Sequence, residues 1–129
     1  MTDPIADMII RIKNACMAER KDLVVPHSRV KEAIVKILKD NQYIEDYQLI
    51  DQKPQKDIKI LLKYVGKLSV ITDVKRVSKP GRRIYVKAGE IPQTLNGYGL
   101  TILSSNQGII DDKKARKAKV GGEIICQIW

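Results

Sequence analysis

Few residues in this chain could carry out a reaction. His27 is the single imidazole among 129 residues. It stands between Pro26 and Ser28, which reads as an exposed turn position. A general base needs a held geometry and a pKa near the working pH. Asp111 and Asp112 are adjacent carboxylates that could be imagined around a cation. At the head of a helix they are better explained as a cap and as partners of the helix dipole. Cys16 and Cys126 are far apart, and neither belongs to a C-x-x-C pair. No His/Cys group has zinc spacing. No glycine pattern makes a phosphate loop, and Gly97 with Gly99 is too short to mean anything alone. The expectation is no catalytic residue, no metal and no cofactor.

Residues suited to holding a polyanion are denser. Lys79, Arg82 and Arg83 surround Pro80-Gly81, placing three cations on a rigid turn. Arginine can fork onto phosphate oxygens, which lysine meets only as a point charge. Tyr85 follows Arg83 by two residues and so shares its strand face. A ring beside paired arginines can stack on an unpaired base. The alternative is a half-buried strand tyrosine. A second basic stretch, Lys113, Lys114, Arg116, Lys117 and Lys119, puts five cations in seven residues. Just before it lies Ser104-Ser105-Asn106-Gln107-Gly108, read as a five-residue polar loop between apolar strands. Its hydroxyls and carboxamides donate and accept at once, as base edges and phosphate oxygens require. Glu123 is acidic in basic surroundings. It could order that loop, accept from an exocyclic base amine, or pair with a nearby cation.

The elements that must position these groups can be read from periodicity. Ile5, Met8, Ile9, Ile12 and Cys16 mark a helix over 3–16, with Asp3 as cap and Pro4 in its first turn. Arg11 and Asn14 fall on its opposite face. Residues 23–26 form a short strand ended by Pro26. Ser28 caps a second helix with the stripe Val30, Ala33, Ile34, Ile37 and Leu38, and Asn41 can end it in a left-handed conformation. Two strands, 43–50 and 57–64, flank a loop over 51–56 that contains Pro54. Gly66 reads as the boundary to a second half of strands and turns. That half has strands over 70–77, 83–86, 100–103 and 123–129, with a short helix over 112–119 capped by Asp111. Asn96 to Gly99 punctuate the chain before Leu100, and Gly121-Gly122 supply backbone freedom before the last strand. The fold class is α+β: an N-terminal α-β-α-β-β subdomain, 1–65, packed on a C-terminal, mostly antiparallel β subdomain, 66–129.

Composition narrows the partner. Lys plus Arg is 24 against 15 Asp plus Glu, a net charge of +9. Residues 1–65 carry 12 basic and 10 acidic side chains; residues 66–129 carry 12 and 5. A polyanion on the C-terminal half is the natural reading, against a merely solvated basic surface. No apolar run approaches the roughly 20 residues that cross a bilayer, so no membrane partner is expected. The N-terminus lacks the pattern of a secretory signal. Both cysteines read as reduced core residues of an intracellular protein, with a long-range disulfide as the alternative.

Three separated signatures then give a resemblance. Residues 95–111 (Leu-Asn-Gly-Tyr-Gly-Leu-Thr-Ile-Leu-Ser-Ser-Asn-Gln-Gly-Ile-Ile-Asp), with Ala115-Arg116 and Val120 to Cys126, closely resemble the family of small ribosomal subunit protein eight. Asp3 to Met8 with Arg11 to Ala15 is similar to its N-terminal signature. Arg76 to Gly81 with Arg83 to Tyr85 is similar to its middle one. The resemblance implies an RNA-binding protein that holds an irregular helix in the central domain of the small-subunit ribosomal RNA and acts early in assembly of the platform. It implies neighbours among small-subunit proteins (five, twelve and seventeen), repression through its own messenger RNA, and a place in the ribosome, cytoplasmic or organellar. The family loop reads Ser-Thr-Ser; here Ser104 matches, Ser105 replaces Thr and Asn106 replaces Ser. Ile10 stands where the family has Thr. The implied RNA-site residues are Tyr85, Ser104, Ser105, Asn106 and Glu123. Gln107 and Gly108 complete the loop, and Lys79, Arg82, Arg83, Lys113, Lys114, Arg116 and Lys117 neutralise phosphates.

Overall fold

The computed structural model describes residues 3–52, 55–92 and 99–129. The chain divides into two units, one of Ile5–Thr72 and one of Met1–Pro4 with Asp73–Trp129. Divided there, Ile5–Thr72 holds 13 basic and 9 acidic residues, and the other unit holds 11 and 6. The asymmetry counted along the sequence therefore nearly vanishes, because Lys67 falls in one unit and Asp3 in the other.

The first unit follows the order helix, strand, helix, strand, strand. Helix α1, Pro4–Met17, buries Met8, Ile9, Ile12, Ala15 and Cys16, the face its periodicity marked. Strand β1, Asp22–Pro26, leads to Ser28, whose hydroxyl accepts from the Lys31 N–H at 3.1 Å and so starts α2, Arg29–Asp40. The helix buries Ile34, Val35 and Leu38, while Val30, expected in the stripe, is exposed. Asn41 ends the helix with φ −96°; the left-handed residue is Gln42, φ +62°. The Asn41 carboxamide instead donates back to the Ile37 carbonyl, which leaves the turn to its neighbour. His27 is not the exposed residue expected. Its side chain is 17% exposed and lies 2.7 Å from a Glu32 carboxylate oxygen.

Strands β2, Ile44–Gln52, and β3, Gln55–Leu62, pair antiparallel from Ile44↔Leu62 out to Gln52↔Gln55. Most of the loop expected over 51–56 is thus strand, because the ladder runs to the end of the hairpin. Pro54 lies outside the described residues. The sheet order is β1-β3-β2. A separate two-stranded hairpin, β4 (Tyr64–Val65) and β5 (Leu68–Ser69), turns on Gly66, φ +64°.

The second unit is built on one antiparallel sheet. Its strands are β6 (Val74–Arg76), β7 (Tyr85–Val86), β8 (Leu100–Ser105), β9 (Gly108–Asp111) and β10 (Gly122–Ile128). The order is β6-β10-β8-β9, and β7 also pairs with β10. The long strand expected over 70–77 is reduced to Val74–Arg76, since only those residues find β10 as a ladder partner. The expected strand over 83–86 shrinks to Tyr85–Val86 for the same reason. Helix α3, Asp112–Ala118, follows β9 directly. Ile91, Leu103, Ile110, Ala115 and Ile124 form the core that joins this helix to the sheet. In β10 a register shift between Ile124 and Cys126 interrupts strict alternation, so Ile124, Ile125 and Cys126 are all buried. Both cysteines are buried free thiols.

Candidate nucleic-acid interface

The turn that carries Lys79 and Arg82 is closed by two backbone hydrogen bonds between those residues, each 2.9 Å. Pro80 and Gly81 occupy its two central positions. Gly81 has φ +87°, which a type II turn requires and proline before it favours. Ser78 anchors the turn from inside the protein. It is fully buried, and its hydroxyl accepts from the Ile84 N–H at 2.9 Å and faces the Ile84 carbonyl at 3.4 Å. The loop from Lys79 to Arg83 is thereby held at its base, and all three cations are exposed.

Register then builds a row. Tyr85 on β7 lies opposite Glu123 on β10, and Glu123 lies opposite Ser104 on β8. Directly opposed residues in an antiparallel sheet project to the same face. Tyr85, Glu123 and Ser104 therefore stand side by side across three neighbouring strands. Tyr85 is 69% exposed, which excludes the half-buried strand tyrosine considered from the sequence. The Arg83 guanidinium donates to the Glu123 carboxylate at 3.1 Å. Of the roles open to this lone acid, the structure shows the pairing with a nearby cation, Arg83.

The polar loop is tighter than its sequence suggested. Ser104 and Ser105 belong to β8 and Gly108 to β9, so only Asn106 and Gln107 form the turn. Ser105 pairs with Gly108 across the hairpin. The Ser105 hydroxyl accepts from the Gln107 N–H at 3.1 Å and donates to the Gly108 carbonyl at 3.0 Å. Gly108 has φ +99°, a conformation open to glycine at little cost. Asn106 and Gln107 are exposed at the tip.

The role of Gly121 and Gly122 is close approach of backbones. A Cβ on Gly122 would overlap the Ser104 carbonyl oxygen and stand 3.0 Å from its carbon. One on Gly121 would overlap the Val86 carbonyl oxygen and stand 2.9 Å from the Lys87 Cα. The freedom to bend expected of this pair is a packing requirement instead. It lets β10 lie tightly between the strands that carry Tyr85 and Ser104.

Helix α3 presents Lys113, Lys114 and Lys117 on its exposed side. Asp111 caps it, accepting from the Lys114 N–H at 2.8 Å. Asp112 is 2% exposed and accepts from Arg116 at 2.7 Å and from the Thr101 N–H at 3.3 Å. Arg116 also donates to the Ile91 and Pro92 carbonyls at 3.3 and 3.2 Å. Its guanidinium is therefore committed in part to bracing the helix, while the three lysines are presented to solvent. Sequence reading missed Ser78 and Asp112 as braces. The Asp112–Arg116 spacing of one helical turn was a legible signal; Ser78 gave none beyond its place before a turn. No group of three or more His, Cys, Asp or Glu side chains among the described residues could hold a metal ion.

The fold defines an α+β protein whose sheet carries a row of an exposed aromatic, a carboxylate and a hydroxyl, with exposed cations on the Lys79–Arg83 turn and on α3. Residues 3–129 match the family model described as Ribosomal protein S8. The chain is 55% identical over 129 residues to small ribosomal subunit protein uS8 of Dictyoglomus thermophilum, covering 100% of this chain and 98% of that one. Identity is 53% over 130 residues to the protein of the same name in Mycoplasmopsis synoviae and 51% over 130 residues in Geobacillus kaustophilus, with the same coverage. The chain belongs to the ribosomal protein S8 family. It is a structural, non-enzymatic constituent of the small ribosomal subunit, a ribonucleoprotein that carries out translation.

Proposed function

We propose that the Asp73–Trp129 unit binds an irregular helix in the central domain of the small-subunit ribosomal RNA and helps assemble the platform. The observation that carries this reading is the row Tyr85, Glu123, Ser104, with the Tyr85 ring exposed and Arg83 paired to Glu123. Regular A-form RNA has a deep, narrow major groove that side chains cannot read. An exposed ring therefore implies a target with a displaced base on which to stack. Ser104, Ser105, Asn106, Gln107 and the Gly108 backbone offer donors and acceptors to the distorted strand. Lys79, Arg82, Lys113, Lys114 and Lys117 supply affinity through phosphates, with Arg116 acting mainly as a brace. A similar irregular structure in the protein's own messenger RNA would bind the same face and repress its translation.

A nuclease footprint on the complete small-subunit RNA tests the proposal. Protection is expected over one irregular helix of the central domain, and Tyr85→Ala should abolish it at concentrations where the parent protein protects fully. Protection of regular duplex alone, unaffected by Tyr85→Ala, would refute the proposal.

A second surface favours protein neighbours. Val65 and Leu68 face each other across the β4–β5 hairpin and are 71% and 78% exposed. Such an apolar tip on the Ile5–Thr72 unit suits docking onto adjoining small-subunit proteins, for which five, twelve and seventeen are the candidates. Cross-linking of assembled subunits from a residue placed at position 67 should recover one of them.

A further inference from the structure

Strand β2, Ile44–Gln52, is the longest strand described in the Ile5–Thr72 unit, and it stands at an edge of its sheet. Among the described residues no strand pairs with its outer side. Exposed edges are ordinarily blunted by proline, by lysine, by a bulge or by being short. Here a register shift between Ile44 and Asp46 interrupts only the first residues. From Tyr47 to Gln52 the register is regular, and the stretch holds no proline, lysine or arginine.

Two hydrogen bonds orient the backbone of this stretch. The Tyr47 N–H donates to the Asp46 carboxylate at 2.8 Å, which marks the side of Tyr47 that faces away from β3. The Lys56 carbonyl accepts from the His27 N–H at 2.9 Å, on the β1 side and so away from its opposite number, Asp51. Opposed pairs in an antiparallel ladder alternate between bonded and non-bonded. Tyr47↔Ile60, Leu49↔Ile58 and Asp51↔Lys56 are therefore the non-bonded pairs, and Tyr47, Leu49 and Asp51 turn their backbone groups outward. The side chains mark the same gap. Leu49, Ile58 and Val25 form one row across β2, β3 and β1. Ile58 and Val25 are buried, whereas Leu49, at the outer end, is 41% exposed. The core layer runs to the edge and stops there uncovered. One more strand along β2 would cover Leu49 and take the outward N–H and C=O of Leu49 and Asp51 into a ladder.

Charge selects the occupant. Strand β2 carries Glu45, Asp46 and Asp51 and no cation. The three strands of this sheet together hold 5 acidic and 2 basic residues, while the remainder of the chain holds 10 and 22. Asp46 is met by Lys39 at 3.0 Å, and Glu45 and Asp51 are exposed. RNA offers no strand backbone, and its phosphates are repelled by these carboxylates. The β2 strand of a second copy would bring the same carboxylates against them.

We infer that β2 accepts, as an added strand, an extended lysine- or arginine-rich segment of a neighbouring protein in the small subunit. The backbone of the segment completes the ladder at Leu49 and Asp51, an apolar side chain covers Leu49, and its cations meet Glu45 and Asp51. The inference uses no residue of the Val65–Leu68 tip or of the Tyr85 row. It rests on membership of the small subunit and stands whether or not the RNA reading above does.

The test places a photoreactive benzophenone amino acid at position 48, where Gln48 is exposed on the same stretch, in the full chain assembled into small subunits. Irradiation followed by mass spectrometry is expected to give an adduct with a lysine- or arginine-rich segment of another protein. An adduct with RNA, with a second copy of this chain or with an acidic segment overturns the inference, and so does the absence of any adduct. Leu49→Lys, which sets a like charge against the incoming strand, should cut the adduct about tenfold. It should leave affinity of the free protein for the small-subunit RNA at the parental value. Should Leu49→Lys melt below the assay temperature, Asp51→Asn takes its place, with about a threefold cut expected from the loss of one exposed carboxylate. A parental yield of adduct in the folded variant overturns the inference.

Discussion

Ser105 has two tasks at the hairpin tip, and only one of them concerns a ligand. Its hydroxyl already donates to the Gly108 carbonyl and accepts from the Gln107 N–H. One lone pair remains for an incoming donor. Ser105→Ala should therefore loosen the tip in the free protein, costing about 0.5–1.5 kcal/mol and speeding amide exchange at Gln107. Ser105→Thr keeps the hydroxyl and should leave that exchange near the parental rate. A second residue-scale consequence concerns Cys126. Burial pushes its thiol up from 9.0 to about 12, against a smaller opposing pull from Arg76. The folded chain thus holds the neutral thiol, while the unfolded chain ionises from about pH 9. The stabilisation from this group is complete below pH 9 and is lost as pH rises through 12. In urea titrations at pH 7, 9 and 10.5, the parent should lose stability with pH more steeply than Cys126→Ala. Equal slopes would contradict the buried assignment.

At the scale of elements, β10 is the spine of the second unit, pairing with β6, β7 and β8. Gly121 and Gly122 allow its entry between Val86 and Ser104. Gly122→Ala must push the β8 backbone away, since the nearest atoms belong to a main chain that cannot rotate aside. A loss of about 1–3 kcal/mol is expected in chemical denaturation. RNA affinity should fall as well, because the shift would separate Ser104 from Glu123. The local elements themselves were largely legible. Ser28 and Asp111 announced two caps, and both accept from the N–H three residues on. Pro80-Gly81 announced a turn, and the positive φ of Gly81 follows from it. The tip was read as five residues because Ser104, Ser105 and Gly108 are polar or small. Their strand pairing depends on partners that composition does not name.

At the scale of the whole molecule, charge governs how binding responds to salt. Each phosphate neutralised contributes a slope of roughly −0.7 to −0.9 in log affinity against log salt. Replacing Lys113, Lys114 and Lys117 together by Gln should flatten that slope by about 2–3, measured by filter binding to the cognate RNA between low and moderate potassium chloride. Stability should barely change, since the three side chains are exposed. An unchanged slope would remove α3 from the interface.

The caps, helix faces, turn signals, core cysteines and α+β class were set by residue type and spacing over a few positions, where short-range sterics and burial act. Folding in three dimensions decided what those positions could not. Strand register placed Tyr85, Glu123 and Ser104 in one row, brought Arg83 to Glu123, and left Arg116 bracing a helix instead of standing free. It also placed Lys67 and Asp3 so that two halves of unequal charge became two units of nearly equal charge. The reason is that cross-strand neighbours are distant in sequence, and their pairing depends on how whole strands fit together.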